Sequence, residues 1–263
     1  MLFENICNLG GKTMSKGNIT GENNKIIFTF SNGDEINYLE LNDNKINESN
    51  INILGNNNKI MLFAKSKEDI LNILSNKGLS ISIVGDNNLV KMGDVTFGFN
   101  EALGINGLSI FIGGLADTWT DPNALRYANN CKVILGNNIL VNGVRMYLQD
   151  SSSSITVGDN CMFSWGIDVW CTDVHTITDL DGNPLNYGKS IEIGNHVWIG
   201  KDVKIGKNTK ISDDSIIGWN SLVTRKFDES NVIIAGNPAK IIKKNINWNA
   251  RCLNCYEDYM NLK

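Results

Sequence analysis

Residues 191–224 read IEIGNHVWIGKDVKIGKNTKISDDSIIGWNSLVT, and the order in that stretch has a period of six. Ile193, Ile199, Ile205, Ile211, Ile217 and Val223 fall six apart, and Gly194, Gly200, Gly206 and Gly218 follow four of them. Two residues earlier runs a second register: Ile191, Val197, Val203, Thr209, Ser215 and Ser221. An α-helix would scatter these positions around its whole cylinder, because 3.6 does not divide six. A simple hairpin does not repeat at six either. The spacing fits a parallel β-helix, in which short strands wind round a narrow prism and each turn packs only on its neighbours. The aliphatic position is expected to point inward. The glycine after it is expected to bend the chain at a corner, where the missing Cβ removes a steric penalty.

The same order thins out on both sides. Toward the N-terminus the register runs through Val169, Phe163 and Val157; one step of six beyond Val169 toward the C-terminus falls on His175. A polar, turn-rich stretch, 179–184, then interrupts it, so residues 176–190 are read as a loop extruded from the prism. Further back, Gly21-Glu22-Asn23-Asn24-Lys25-Ile26 recurs at Gly55 and Gly85, and Gly136-Asn137-Asn138 and Gly158-Asp159-Asn160 echo it. Each copy lies between alternating apolar and polar residues, which reads as strand, tight corner, strand. The uneven spacing predicts a β-helix with distorted turns over 1–130, regular hexads over 131–228, and a cap over 229–263. Residues 67–76 carry Ile70, Leu71, Ile73 and Leu74 at helical spacing and predict a short helix. From Ile241 a short strand and a C-terminal helix are expected to end the stack. The chain holds 40 asparagines. Asn tolerates the left-handed backbone that such corners use.

Composition narrows the function. The net charge is −4, which argues against a general nucleic-acid binder. No apolar run reaches 18 residues, so no membrane span is expected. The N-terminus lacks a basic segment followed by an apolar one, so no signal peptide is read and a cytoplasmic protein is expected. Six cysteines are widely spaced; Cys131, Cys161 and Cys171 read as small buried residues or reduced thiols. Cys252 and Cys255 form a lone CxxC without further metal ligands at sensible spacing, so no metal is expected.

Two histidines exist. His175 falls where the register asks for an aliphatic side chain, beside the extruded loop. A neutral imidazole there suits a general base. Asp173, two residues earlier, shares its face if the local chain is extended, and could then orient the ring. A histidine that merely ends a coil is the competing reading. His196 takes an outward corner and reads as solvated. Trp198 stands outward beside the inward Ile199 and either covers surface or presents a flat wall to a ligand or neighbour. Neither a G-x-S-x-G elbow nor a phosphate-binding G-x-x-x-x-G-K-[ST] loop is present.

At these residues the chain resembles the hexapeptide-repeat acyltransferases, most closely their sugar and polysaccharide O-acetyltransferase branch. Cys171-Thr172-Asp173-Val174-His175 resembles the S-[ST]-D-x-H segment of that family. Ile193 to Gly200 resembles its I-G-x-x-V-W-I-G coil, and Ile217 to Lys226 its I-G-A-x-S-V-V-T-K coil. Ala235-Gly236-Asn237-Pro238-Ala239-Lys240 resembles its A-G-[NV]-P-A-[KR] ending. The match covers about 133–248 in motif order.

The resemblance implies a homotrimer of left-handed β-helices with acetyl-CoA bound in clefts between subunits. It implies His175 as base with Asp173 beside it, and Trp198 near the acetyl end of pantetheine. Gly200, Gly218, Ser221 and Thr224 are implied as cofactor contacts, and Lys226 and Lys240 as partners for the CoA phosphates. Trp219 departs from the small residue usual there and is expected to stack on adenine or to narrow the groove. Asn142 and Trp170 are the candidate contacts to the sugar acceptor. Cys171 departs from the usual Ser. The implied activity is acetyl transfer to a hydroxyl of a capsule, lipopolysaccharide or sialic acid-type sugar. An amino-sugar N-acetyltransferase and a noncatalytic β-helix scaffold are the rival readings.

Overall fold

The computed structural model describes residues 18–40, 50–98, 106–115 and 125–262, together with short backbone pairings at 8–9 and 12–13. The chain winds as a left-handed parallel β-helix with three faces. The first face stacks Ile19–Thr20, Ile51–Leu54, Leu79–Val84, Gly107–Ile112, Gly143–Leu148, Ile167–Trp170, Lys204–Ile205 and Leu222–Val223. The second runs from Lys25–Thr29 to Lys226–Phe227, and the third from Val95–Phe97 to Ala239–Lys244. Within the regular part every strand pairs in parallel with the strand one turn away, as Ile155 with Ile191 and Ile193 with Ile211.

Both six-residue registers point inward. Ile193, Ile199, Ile205, Ile211, Ile217 and Val223 are buried, and so are Ile191, Val197, Val203, Thr209, Ser215 and Ser221. Burying one such aliphatic side chain contributes about 1.5–3 kcal/mol, so a one-residue slip of register is strongly disfavoured. The three inward hydroxyls are satisfied internally: Thr209 Oγ1 donates to the Val223 carbonyl, Ser215 Oγ to that of Asp213 and Ser221 Oγ to that of Gly218.

The corners differ from the expectation in one respect. The glycine after each inward aliphatic residue does not supply the turn. The left-handed residue comes two positions later, at His196, Asp202, Asn208, Asp214 and Asn220, with φ of 51–62°. Glycine supplies closeness instead: a Cβ on Gly194 would stand 2.2 Å from the Asp213 Oδ1 of the next turn. The asparagine reading is borne out, since Asn23, Asn57, Asn87, Asn138 and Asn160 hold the same conformation in the earlier turns.

Those earlier turns replace part of the aliphatic core with an internal amide ladder. Asn58 Nδ2 donates to Asn24 Oδ1 at 3.1 Å, and Asn88 Nδ2 to Asn58 Oδ1 at 3.0 Å. Before Val95 the third side has no strand of its own among the described residues. The helix Lys67–Leu74 lies between a second-face strand and the next first-face strand, capped by Ser66 and burying Ile70 and Leu74. One hydrophobic cluster nonetheless runs unbroken from Ile26 to Ala239.

At the far end the stack is closed by a hairpin rather than by the C-terminal helix. Ala239–Lys244 pairs antiparallel with Val232–Gly236. The helix Leu253–Asn261 exists as expected but buries no residue. Cys252 and Cys255 are joined as a disulfide at its start, and the buried Cys131, Cys161 and Cys171 are free thiols. Cys7 lies outside the described residues.

Candidate active site

The inward register runs through Val169 and ends on the buried Cys171. From there the chain leaves the prism earlier than the sequence suggests, and the Lys189 N–H donating to the Cys171 carbonyl at 3.0 Å closes the base of the loop. The step of six from Val169 therefore does not end inside a coil. His175 stands exposed on the extruded loop.

The backbone that presents it is strained. The His175 N–H donates to the Asp173 carbonyl at 2.7 Å across a single residue, and that residue, Val174, has φ of +67°. Such a γ-turn is rare, and a β-branched side chain in the left-handed region is a genuine outlier. Strain of this kind persists only where surrounding contacts over-determine it. Here they do. The Val174 N–H donates to Thr172 Oγ1, and Asn186 Nδ2 donates both to the His175 carbonyl at 2.8 Å and to Asp173 Oδ2 at 2.9 Å. Asn186 Oδ1 accepts from the Ile177 N–H. Lys207 Nζ, from the corner of the next turn, donates to Asp173 Oδ2 at 2.5 Å and to the Asn186 carbonyl at 2.7 Å.

This corrects the expected pairing of Asp173 with the imidazole. The local chain is a turn, not extended, so the carboxylate is spent on Lys207 and Asn186. Those two hydrogen bonds, Lys207 first, hold its pKa below the ordinary carboxylate value. Among the described residues neither ring nitrogen of His175 is hydrogen-bonded. The ring borders an open cavity of about 410 Å³, shared with Asp150, Ser151, Thr172, Asp173, Asn186 and Tyr187.

Trp198 lies elsewhere. It sits on the third face, one strand and one corner beyond the loop that carries His175. In register above Ile199 come Ile217 and Ile234, which aligns Gly200, Gly218 and Ala235 along one edge; Ala235 in turn pairs with Lys240. A Cβ on Gly200 would stand 2.6 Å from Trp219 Cδ1, and one on Gly218 2.8 Å from Ala235 Cβ. The exposed Trp219 thus lies against a glycine that makes room for it. This edge joins Trp198, Gly200, Gly218, Trp219 and Lys240.

The remaining candidates fall outside it. Ser221 is buried, donates to Gly218 and accepts from the Gly236 N–H, so its hydroxyl is not presented outward. Thr224 stands over Gly206 at the corner that also bears Lys207. Lys226 is exposed on the second face. Asn142 sits at the corner between the third and first faces, away from the His175 cavity. Trp170 is the last strand residue before the His175 segment, and its ring stacks on Tyr147 with centroids 4.1 Å apart, Tyr147 stacking in turn on Phe111 at 5.0 Å.

His196 also differs from its expected solvated state. Its Nδ1 lies 2.8 Å from Asp214 Oδ1, and the indole of Trp248 covers its ring. Nucleophilic thiol chemistry has no candidate in this region. Burial raises the thiol pKa values of Cys131 and Cys171, and that of Cys161 to about 11. Among the described residues no cluster of side chains could hold a metal ion, and no helix is long and apolar enough to cross a membrane.

Lys207 and Asn186 were not among the sequence candidates. Lys207 looks like any corner lysine of a hexad, and only the folded chain brings it to a residue 34 positions away.

No protein-family model matches the chain, and no curated protein matches it in sequence. Solved structures do. The polySia-specific acetyltransferase NeuO aligns with 94% of this chain and 97% of its own, at 23% identity and a TM-score of 0.64. The polysialic acid O-acetyltransferase OatWY aligns with 92% of this chain and 97% of its own, at 20% identity and a TM-score of 0.43. A galactoside acetyltransferase in complex with coenzyme A aligns with 61% and 74%, at 19% identity and a TM-score of 0.38. The likeness to NeuO is one of fold over nearly the whole length of both chains, and it identifies this protein as a left-handed parallel β-helix of the hexapeptide-repeat kind.

Proposed function

We propose that this protein transfers an acetyl group from acetyl-CoA to a hydroxyl of a cell-surface sugar or polysaccharide, with His175 as general base. One observation carries the reading: an exposed imidazole, with neither ring nitrogen hydrogen-bonded among the described residues, held by a strained and braced turn at the edge of an open cavity. The fold shared with a polySia-specific acetyltransferase over 94% of the chain supports the acceptor class.

In this reaction His175 takes the proton of the acceptor hydroxyl as its oxygen attacks the thioester carbonyl. The tetrahedral oxyanion collapses, the carbon–sulfur bond breaks, and the imidazolium returns its proton to the departing thiolate. Backbone N–H groups of an adjoining turn stabilise the oxyanion. No acyl-enzyme is formed, in keeping with the buried thiols. Lys240 lies on the edge that begins at Trp198 and meets the cofactor phosphates, since an acidic protein needs local positive charge to bind a polyanion. The His175 cavity and the Trp198 edge lie on different sides of one prism. A homotrimer in the cytoplasm, in which the edge of one protomer faces the loop of the next, completes the site.

The test is His175→Ala with acetyl-CoA and a panel of sialic acid-type, capsular and lipopolysaccharide acceptors, reading thiol release. Loss of the base lowers turnover about 10²–10⁴-fold. Near-normal release by the variant overturns the assignment. Thermal stabilisation by CoA separates an enzyme from a scaffold, which shows none. Base-labile product marks an ester rather than an amide.

A further inference from the structure

Around His175 the polar contacts converge on one turn. Lys207 contributes the only described link of opposite charge between the extruded loop and the next coil. Its side chain is 19% exposed, while that of its partner Asp173 is 41% exposed. The same nitrogen holds the Asn186 carbonyl, and the Asn186 amide spans the γ-turn from the Asp173 carboxylate to the His175 carbonyl.

We infer that Lys207 and Asn186 are positioning residues for His175, acting through Asp173 and the strained Val174 turn; this rests on the reading of His175 as base. The physical need is specific. A γ-turn with valine in the left-handed region is an unfavourable backbone conformation, and a relaxed loop would abandon it. Abandoning it lets the chain extend, which brings the Asp173 and His175 side chains to one face of the segment. Lys207 prevents this in two ways. It anchors the carboxylate away from the ring, and it offsets a negative charge two residues from the base. Asn186 fixes the separation of residues 173 and 175 by bonding both ends of the turn with one amide. The imidazole is thereby left without a hydrogen-bond partner among the described residues, at the border of the cavity.

Two histidines in the chain make the test direct. Protein labelled selectively at histidine gives two ring signals in NMR, and His175→Ala identifies which is which. In Lys207→Met and Asn186→Ala the His175 signal moves or broadens, while the His196 signal, held by Asp214 and Trp248, stays in place and reports an intact fold. Lys207→Arg restores the His175 signal. In the transfer assay Lys207→Met lowers kcat about tenfold or more and leaves KM for acetyl-CoA within twofold of the native value, with partial recovery in Lys207→Arg. His175 signals that superimpose on the native spectrum in both variants overturn the inference. So does native kcat in both variants while His175→Ala is inactive, and that result leaves the proposed function standing. Activity in His175→Ala removes the proposed function instead, and the spectra still decide the positioning role. Should Lys207→Met fail to fold, Asn186→Ala alone carries both readouts.

Discussion

The indole of Trp248 lies flat on the imidazole of His196, with centroids 4.3 Å apart and planes 12° from parallel, and its Nε1–H donates to the His196 carbonyl at 2.8 Å. Fifty-two residues separate the two, so this contact straps the C-terminal segment back across the third face. The same indole stands 6.0 Å from the ring of Trp198. An aromatic pair contributes about 0.5–1.5 kcal/mol beyond its buried area, and the hydrogen bond about 1 kcal/mol more. Trp248→Ala is therefore expected to free the tail with little effect on the prism. Limited proteolysis should cut within 247–262 several-fold faster while the main thermal transition moves by a few degrees at most. Equal cleavage rates in variant and native protein would show that the strap is not what holds the tail.

The amide ladder makes a second prediction, on stability. Asn88 donates to Asn58 Oδ1 and to the Ala128 carbonyl, and its own Oδ1 accepts from the Cys131 N–H at 2.8 Å, all inside the prism. Replacing it with alanine strands those partners. Each buried polar group left unpaired costs about 1–3 kcal/mol, so Asn88→Ala should lower stability by about 2–4 kcal/mol. The urea midpoint should fall while the slope of the transition stays constant. Asn87→Ala, one residue away on the outer corner, loses only the left-handed preference of asparagine, and should cost less. Equal effects at the two positions would remove the argument.

Much of this was legible in the sequence, and the reason is physical. A six-residue period forces one geometry, so the inward positions from Ile191 to Val223 could be read one by one. The loop was legible too, because the order lapses between His175 and Ile191. What failed were statements about corners and about residues joined by tertiary contact. The left-handed residue lies two positions beyond the glycine, and composition alone does not separate a residue that turns the chain from one that makes room for a neighbour. Asp173 was paired with His175 on the assumption of an extended chain; the γ-turn at Val174 leaves no trace in the pattern. Lys207, Asn186 and Trp248 reach their partners only through the winding of the prism and the return of the tail.

Under the proposed function, the Tyr147–Trp170 stack is the surface expected to meet the sugar acceptor. Both side chains point outward from the first face, and Trp170 immediately precedes the segment that presents His175. An aromatic face suits the C–H face of a pyranose ring, and loss of one such contact is worth about 1.4 kcal/mol, or tenfold in affinity. Trp170→Ala is expected to raise KM for the sugar acceptor about tenfold and to leave KM for acetyl-CoA unchanged. A change confined to acetyl-CoA would place this ring on the cofactor side of the site.

The loop carries two carboxylates whose folded pKa values lie below their ordinary value, and this fixes the direction of its acid response. Lys207 and then Asn186 lower that of Asp173; the side-chain and backbone N–H groups of Asn183 lower that of Asp179. A group whose folded pKa is depressed binds protons more readily in the unfolded chain. Its contribution is complete above the unfolded pKa, near 4, and is lost as pH falls through the folded value. The bracing of residues 172–190 should therefore be intact at neutral pH and fade below about pH 4. Pepsin, active in that range, reads the change: cleavage within 172–190 should accelerate from pH 4 to pH 2 relative to cleavage at the exposed turn 31–34. In Asp173→Asn the neutral amide cannot titrate, so the loop should be cut faster at pH 4 and change less between pH 4 and pH 2. Parallel profiles for the native and substituted loops would mean that the Lys207–Asp173 pair does not govern its acid opening.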